Sequence, residues 1–363
     1  MLKCAGLIYG KQVHHVDHLA PLCVLLKIPL IVTEDEVAQA GDGFYPELCV
    51  IHADYLTVAE FVVSHFDVIL YSIPRDLFEE VFFFAQKLLQ KKVHTLWCPH
   101  GNSDKGRSIF YMEALHKEEM ALVYGKQMID YLQEKKVFDQ LKGHAIVGNY
   151  RYGFYLEHKA FYDELVQKQI LEKMPKAKKL FLYAPTWQDF ERSSSFFDAM
   201  PLLAKNRPAD VNLLVKLHPN LLQEEDPMAH RLIEEYAHEK HILFFSDFAP
   251  IYPLLNRADV YIGDMSSIGY DFLTFDRPLF FLNQNGRDPI KDPGLYLFRT
   301  GEVIDKEHYG EIYERIEHFL NFELRRFSEV RKEVYTYAFG HKKPLEIIKT
   351  EIEKTLLCVL QPS

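Results

Sequence analysis

The chain lacks most of the features that would place it quickly. Its five cysteines (Cys4, Cys23, Cys49, Cys98 and Cys358) form no CxxC pair and sit mostly in apolar runs. They read as reduced core residues of a cytosolic protein. No window offers an uninterrupted span of about 18 apolar residues, so no transmembrane helix is expected. The start, MLKCAGLIYGK, has no long apolar region of the signal-peptide kind. Neither a Walker A motif nor GxGxxG occurs, which leaves ATP hydrolysis and a dinucleotide cofactor without support. Positive charge is in deficit: 42 Lys and Arg against 52 Asp and Glu give a net charge of −10. That argues against a general nucleic-acid binder while leaving room for a local basic patch and for peripheral membrane contact. There is no internal repeat and no low-complexity segment. His14 and His18 flank Asp17 at a spacing that shares one helix face. No further ligand follows at zinc-site spacing, so a helix-start cluster is expected and no metal.

What is present is apolar material in a regular order. The 363 residues are 48% hydrophobic, too many for one ordinary core and suited to two domains. Apolar runs at 4–9, 29–33, 47–52, 66–71 and 93–98 read as strands, followed by short ones at 121–124 and 145–147. Helical stretches fall at 14–26, 76–90, 126–141 and 156–173. Lys173, Lys176, Lys178 and Lys179 gather around Pro175 as a solvated linker, and the domain boundary is placed there. The alternation restarts with strands at 179–184, 211–217, 242–245, 261–262 and 279–282. Helices are expected at 193–203, 228–239, 252–256, 312–320, 325–338 and 344–357. Such alternation implies βαβ units and mainly parallel sheets, with function in loops beyond the carboxyl ends of strands.

Three such loops carry chemistry. The segment Tyr261–Asn283 reads as a strand, a turn (Gly263, Asp264, Met265, Ser266, Ser267), a helix and a strand. Backbone N–H groups at the helix start and two serine hydroxyls make an anion site, with Asp264 capping the helix. A plain helix cap is the alternative. The loop from Pro99 to Arg107 packs His100, Gly101, Ser103, Asp104, Lys105, Gly106 and Arg107 together. His is the side chain suited to general-base work near neutrality, and glycine lets backbone approach a ligand. An ordinary polar turn is the competing reading. In Lys216-Leu217-His218-Pro219, the proline forces the chain out of the strand and leaves His218 at its carboxyl end. Strand alternation puts Lys216 on the same face, unless its stem simply packs.

Taken in order, these motifs resemble the CDP-glycerol glycerophosphotransferase family, the primases and polymerases of teichoic acid synthesis. The matching stretches are His100-Gly101, the GNYR of Gly148 to Arg151, the YAPTW of Tyr183 to Trp187, Lys216 to Pro219, and Ala258-Asp259 through Asp264, Ser266, Ser267 and Asp271 to Arg277-Pro278. Departures are HGNSDKG in place of HGxPxK, GNYR in place of GYPR, and Gln188-Asp189 after YAPTW; they touch the acceptor side. The resemblance implies an α/β, GT-B-like fold: two Rossmann-like domains with parallel sheets facing a cleft. Residues 1–175 would form the acceptor-side domain, 176–330 the nucleotide-donor domain, and 331–363 helices crossing back to the first. It implies transfer of glycerol phosphate, or a related alditol phosphate, from a CDP-linked donor to a hydroxyl acceptor with release of CMP. A lipid-linked glycan is one candidate acceptor, and the inner face of the membrane one candidate location. By motif, His100 and His218 carry catalysis. Ser266, Ser267, Asp264, Arg151 and Lys216 would serve the donor phosphates and nucleotide, and Gly101, Lys105 and Thr186 are loop candidates. No cofactor is implied. A GT-B glycosyltransferase using a nucleotide sugar, and a non-catalytic nucleotide-binding member, are the alternatives.

Overall fold

Two parallel sheets account for the strands of the structure, a computed structural model describing residues 2–73, 75, 79–104, 113–188, 191–223 and 227–360. The first sheet contains β1 (Cys4–Ile8), β2 (Leu30–Val32), β3 (Val50–His52), β4 (Val68–Tyr71), β5 (His94–Trp97), β6 (Met120–Val123) and β7 (Gly143–Ile146). Their order is β3-β2-β1-β4-β5-β6-β7. The second contains β8 (Lys179–Ala184), β9 (Val211–Lys216), β10 (Ile242–Phe245), β11 (Val260–Gly263), β12 (Leu279–Asn283) and β13 (Glu302–Asp305), ordered β10-β9-β8-β11-β12-β13. Each pattern winds outward in both directions from its first strand, as in Rossmann folds. Each therefore has a switch point, between β1 and β4 and between β8 and β11, where loops diverge and leave a crevice.

The sequence forms these strands because they are covered on both faces. Val68, Ile69, Leu70 and Tyr71 are all buried, as are all six residues of β9. A continuous apolar run, rather than strict alternation, is what such a position demands. In the second sheet Phe181, Val215, Ile262 and Phe280 build the core with Phe319, whose ring meets Phe280 edge-on at 5.5 Å. Burying each such side chain contributes about 1.5–3 kcal/mol.

The chain divides into two units. The first holds the described residues up to Asn102, those from Glu113 to Glu157, and those from Tyr337 onward. The second takes Ser103, Asp104 and His158–Thr336. The chain passes from the first to the second at Glu157–His158, ahead of the lysine cluster, because the helix Lys159–Gln169 packs on the helix Ile251–Arg257 of the second unit. Gln167 accepts a hydrogen bond there from Arg257 (3.2 Å).

Several elements differ from expectation. The helix expected at 14–26 begins as a tight turn, Val13–His15, before Val16–Leu26. The helix after β6 stops at Glu134, where Lys136 adopts φ +57°, and a separate turn follows at Phe138–Gln140. Arg151 lies in the first turn of a helix, Tyr150–Glu157, which opens after Gly148 at φ +56°. Helices Asp35–Phe44 and Val58–His65, and β13, were not expected. No helix among the described residues is long and apolar enough to cross a membrane.

Candidate functional site

One group of candidate residues, in the first unit, lies where β1, β4 and β5 end. Beyond β5, His100 turns its Nδ1 to the Ser72 carbonyl at 2.9 Å. A carbonyl only accepts, so this nitrogen carries the proton and Nε2 presents its lone pair. Burial disfavours the charged ring and lowers its pKa below 6.5 despite the Ser72 contact, so His100 is neutral at neutral pH. Gly101, at φ +127°, supplies the backbone conformation by which the chain leaves this position.

Around His100 stand two further imidazoles. His15 stacks on it with centroids 4.8 Å apart and planes 21° from parallel, and its Nδ1 lies 2.6 Å from Ser72 Oγ. His18 meets His100 edge-on at 6.4 Å, and its Nδ1 lies 3.3 Å from the Tyr124 hydroxyl, which donates to Pro99 O at 3.1 Å. Burial, then the Arg151 charge and the neighbouring histidines, push the His18 pKa well below 6.5. Arg151 Nη1 pairs with Asp17 Oδ2 at 2.8 Å, and Asp17 Oδ1 accepts from the Tyr45 hydroxyl, also at 2.8 Å. Tyr150 donates to His18 O at 2.7 Å. The segment Gly148–Arg151 therefore braces the helix that carries His18. Arg151, expected at the donor, is buried, pairs with Asp17 and belongs to the unit of His100 rather than to that of the serine turn.

A second group of candidate residues lies within the second unit, at the β8–β11 switch point. Here the structure corrects the role of Asp264. The helix after the turn starts at Ser267 with no side-chain cap bond. Asp264, fully buried, reaches across the switch point instead. Its Oδ1 accepts from Thr186 N (2.8 Å), and its Oδ2 accepts from Ser195 N (2.9 Å) and Ser195 Oγ (2.8 Å). Because the Ser195 hydroxyl gives its proton to the carboxylate, Tyr183, 2.9 Å away, donates to Ser195. Burial first, and then the Asp264 charge, push the hydroxyls of Tyr183 and Tyr261 well above 10, so both stay protonated. Asp264 is a clamp that fixes the two loops.

The turn itself presents Ser266 and Ser267 half-buried. Its helix, Ile268–Phe272, has only five residues, so the dipole contribution is small. The capacity to hold an anion rests on the two hydroxyls and the turn amides. The last position of β11, Gly263, takes glycine because a Cβ there would meet the Tyr261 hydroxyl at 2.3 Å. Asp104 packs onto this group: its Oδ1 accepts from Tyr270 Oη (2.6 Å) and its Oδ2 from Leu297 N (2.8 Å). Ser103, Asp104, Met265, Ser266 and Tyr270 help enclose a cavity of about 10 Å³, roughly one water.

His218 follows β9. Its Nδ1 accepts from Asn220 N at 3.1 Å, so the proton of the neutral ring sits on Nε2 and that nitrogen is a donor. The Trp187 ring lies 6.2 Å away. Lys216 is buried with its ammonium 5.9 Å over the Phe245 ring. Thr186 is buried, its N–H bound to Asp264 and its carbonyl accepting from Ser194 Oγ at 2.7 Å. Lys105 lies outside the described residues. Sequence reasoning missed His15, Ser72, Asp17, Ser195 and the anchoring of Asp104. Only Ser72, just past a buried strand, carried a local signal.

Solved structures with the same arrangement include the wall teichoic acid polymerase TagF (TM-score 0.66, 15% identity, 99% of this chain and 90% of that one). The S. aureus MnaA–UDP co-structure is another (TM-score 0.66, 13% identity, 99% and 97%). At these identities the likeness shows the fold alone: an α/β protein of the GT-B type with two Rossmann-like units. Sequence goes further. The pattern described as CDP-glycerol:poly(glycerophosphate) glycerophosphotransferase matches residues 126–335, and the chain belongs to that family. Among curated relatives, the teichoic acid glycerol-phosphate primase of Bacillus spizizenii is 30% identical over 190 residues, covering 50% of this chain and 44% of the primase. The chain spans about half the length of the curated relatives it matches.

Proposed function

We propose that the protein transfers glycerol phosphate, or a related alditol phosphate, from a CDP-linked donor to a hydroxyl acceptor and releases CMP. The observation that carries this reading is the opposite proton placement on the two histidines. His100 offers a lone pair at Nε2 and His218 offers a proton at Nε2. In the step proposed, the acceptor oxygen bonds to the glycerol-bearing phosphorus, the bond from that phosphorus to the CMP oxygen breaks, and the acceptor proton passes to His100 Nε2. His218 Nε2–H, with the hydroxyls of Ser266 and Ser267, stabilises charge on the phosphates. Phosphoryl transfer needs positioning and charge stabilisation more than covalent help, which is what these groups supply.

A lipid-linked glycan is the acceptor class we favour; one curated relative is a teichoic acid glycerol-phosphate primase. Peripheral membrane contact is supported by Phe83, Phe84 and Leu88, which are 51%, 68% and 79% exposed on the helix Glu79–Leu89 beside Lys87, Lys91 and Lys92. An amphipathic surface of this kind suits an anionic bilayer.

Calorimetric titration with CDP-glycerol, CMP, UDP and a UDP-sugar tests the donor. The reading expects preference for CDP-glycerol and CMP; preference for uridine nucleotides would replace it with a nucleotide-sugar glycosyltransferase. His100→Ala should abolish CMP release while binding CDP-glycerol nearly normally. Replacing Ser266 and Ser267 together by Ala should weaken donor binding at least about tenfold, the loss of one or more hydrogen bonds to a charged group. Intact binding without turnover in the unmodified protein would point to a non-catalytic member.

A further inference from the structure

The first-unit cluster contains a side chain that the reaction above does not use. His15 is buried in the Val13–His15 turn after β1, and it touches both Ser72 and His100. Ser72 serves both rings: its carbonyl accepts from His100 Nδ1 (2.9 Å), and its hydroxyl meets His15 Nδ1 (2.6 Å). The His15 ring then lies nearly parallel to that of His100, 4.8 Å from centroid to centroid. The hydrogen bond at Nδ1 favours one tautomer, but a ring able to tilt about that contact can leave the carbonyl and exchange tautomers. A second ring packed on its face, tethered to the same serine, removes that freedom and keeps water off the face it covers.

We propose that His15 is a positioning residue for His100, holding the base's Nε2 in one direction and in a dry setting through the shared Ser72 and the stacked ring. The proposal rests on the reading of His100 as general base. A base misdirected by an ångström loses much of its advantage, so a packed second ring adds to what the bond to the Ser72 carbonyl fixes.

The titratable groups against the pair are His14 and His18, and Tyr124 and the Arg151–Asp17 ion pair stand against His18. His14 sits beside His15 in the same turn, with ring centroids 4.4 Å apart. His18 and Asp17 come from the helix Val16–Leu26, Tyr124 follows β6, and Arg151 comes from the helix Tyr150–Glu157. A proton on any one imidazole opposes a proton on the others, so the cluster as a whole favours neutral rings.

The test needs no substrate. In the full chain labelled with ¹⁵N-histidine, ring nitrogen shifts report tautomer and titration directly. His100 should appear in one tautomer, protonated at Nδ1, with its midpoint below 6.5. His15→Ala opens the stacked face to water. The expected result is a mixture of tautomers at His100 and a midpoint moving up toward 6.5. His15→Phe refills the plane without the serine contact and should restore most of the single tautomer. Ser72→Ala deletes one hydroxyl, which a small buried site tolerates; it should shift the His15 signals while the His100 Nδ1 proton persists on the backbone carbonyl. Unchanged tautomer and titration of His100 in His15→Ala would overturn the proposal. Should that variant fail to fold, unmoved His15 signals in Ser72→Ala would do the same. In turnover, His15→Ala should lower kcat for CMP release by about 10- to 100-fold with KM for CDP-glycerol unchanged, the size of effect a misplaced base produces. The spectroscopic arm stands without the donor assignment, so its failure is distinguishable from a failure of the proposed reaction.

Discussion

Replacing Asp264 by Asn removes a charge and one acceptor while changing almost no volume. One amide oxygen can still accept from Thr186 N. The amide NH₂ then faces the Ser195 N–H, donor against donor, and the Ser195 hydroxyl loses its carboxylate. Two bonds to a charged acceptor are lost, each worth about 1.5–3 kcal/mol. Relief of the cost of burying a carboxylate offsets part of that. The net destabilisation expected is about 3 kcal/mol, a substantial part of the roughly 5–15 kcal/mol that holds a typical domain. The chain provides its own local reporter. It has two tryptophans, Trp97 in β5 of the first unit and Trp187 next to Thr186 in the second. In a Trp97→Phe background, Trp187 fluorescence follows the second unit through urea denaturation. With a slope of about 3 kcal/mol per molar urea, Asp264→Asn should lower the midpoint by about 1 M. A shift below about 0.3 M at unchanged slope would refute the clamp, since the corresponding loss would be about 1 kcal/mol or less.

Further outcomes follow from the same contacts. His100 and His18 both have folded pKa values below 6.5. The unfolded chain therefore binds more protons as pH falls below 6.5, and stability should fall with pH by up to about 1.4 kcal/mol per unit per histidine until the folded rings titrate. Denaturation midpoints from pH 7.5 down to 5.5 would show this, and His100→Gln should make the slope shallower; a flat profile contradicts it. Arg151→Met leaves Asp17 buried with the Tyr45 hydroxyl but without its cation and should cost about 3–5 kcal/mol. Adding Asp17→Leu should recover much of that loss, and a double variant no more stable than the single would count against a paired-charge origin. At Asp104, Asn can still accept from Leu297 N while its NH₂ donates to Tyr270 Oη, whereas Ala satisfies neither. Chemical denaturation should therefore rank Asn milder than Ala by at least about 1 kcal/mol, and equal losses would argue against these bonds.

Much of the fold was legible because parallel strands buried on both faces must be apolar throughout. Residues 179–184 and 242–245 were read with the boundaries observed. β13 escaped because Glu302–Asp305 offers only two apolar residues, Val303 and Ile304, between two carboxylates and is only partly buried. The helix Asp35–Phe44 escaped because two glycines and scattered charges blur its apolar face. At the site, the loops were found while several partners were not. Asp264 looks like a helix cap locally, yet its partners lie 78 and 69 positions away. His15 looks like the start of a helix until Ser72, 57 positions on, is folded against it. Arg151 was assigned to the donor by the motif it stands in; its pairing with Asp17, 134 positions earlier, was not legible there. Local pattern places a residue at a loop, and the long-range partner then decides whether it faces a ligand or supports one that does.

The final helix, Leu345–Leu360, lies along β7, the outermost strand of the first sheet. A Cβ on Gly143 would meet Val359 at 2.7 Å, and Thr355 Oγ donates to the His144 carbonyl at 3.2 Å. During synthesis, β7 emerges about two hundred residues before this cover does, an interval of about 10–40 s at ordinary elongation rates. For that time the nascent sheet carries an open margin able to pair with another strand. The second unit can complete its own contacts in the meantime, although it comes later in the chain. Translation speed through the second half, and any holdase present while it is made, should thus govern how much of the first half reaches its native state.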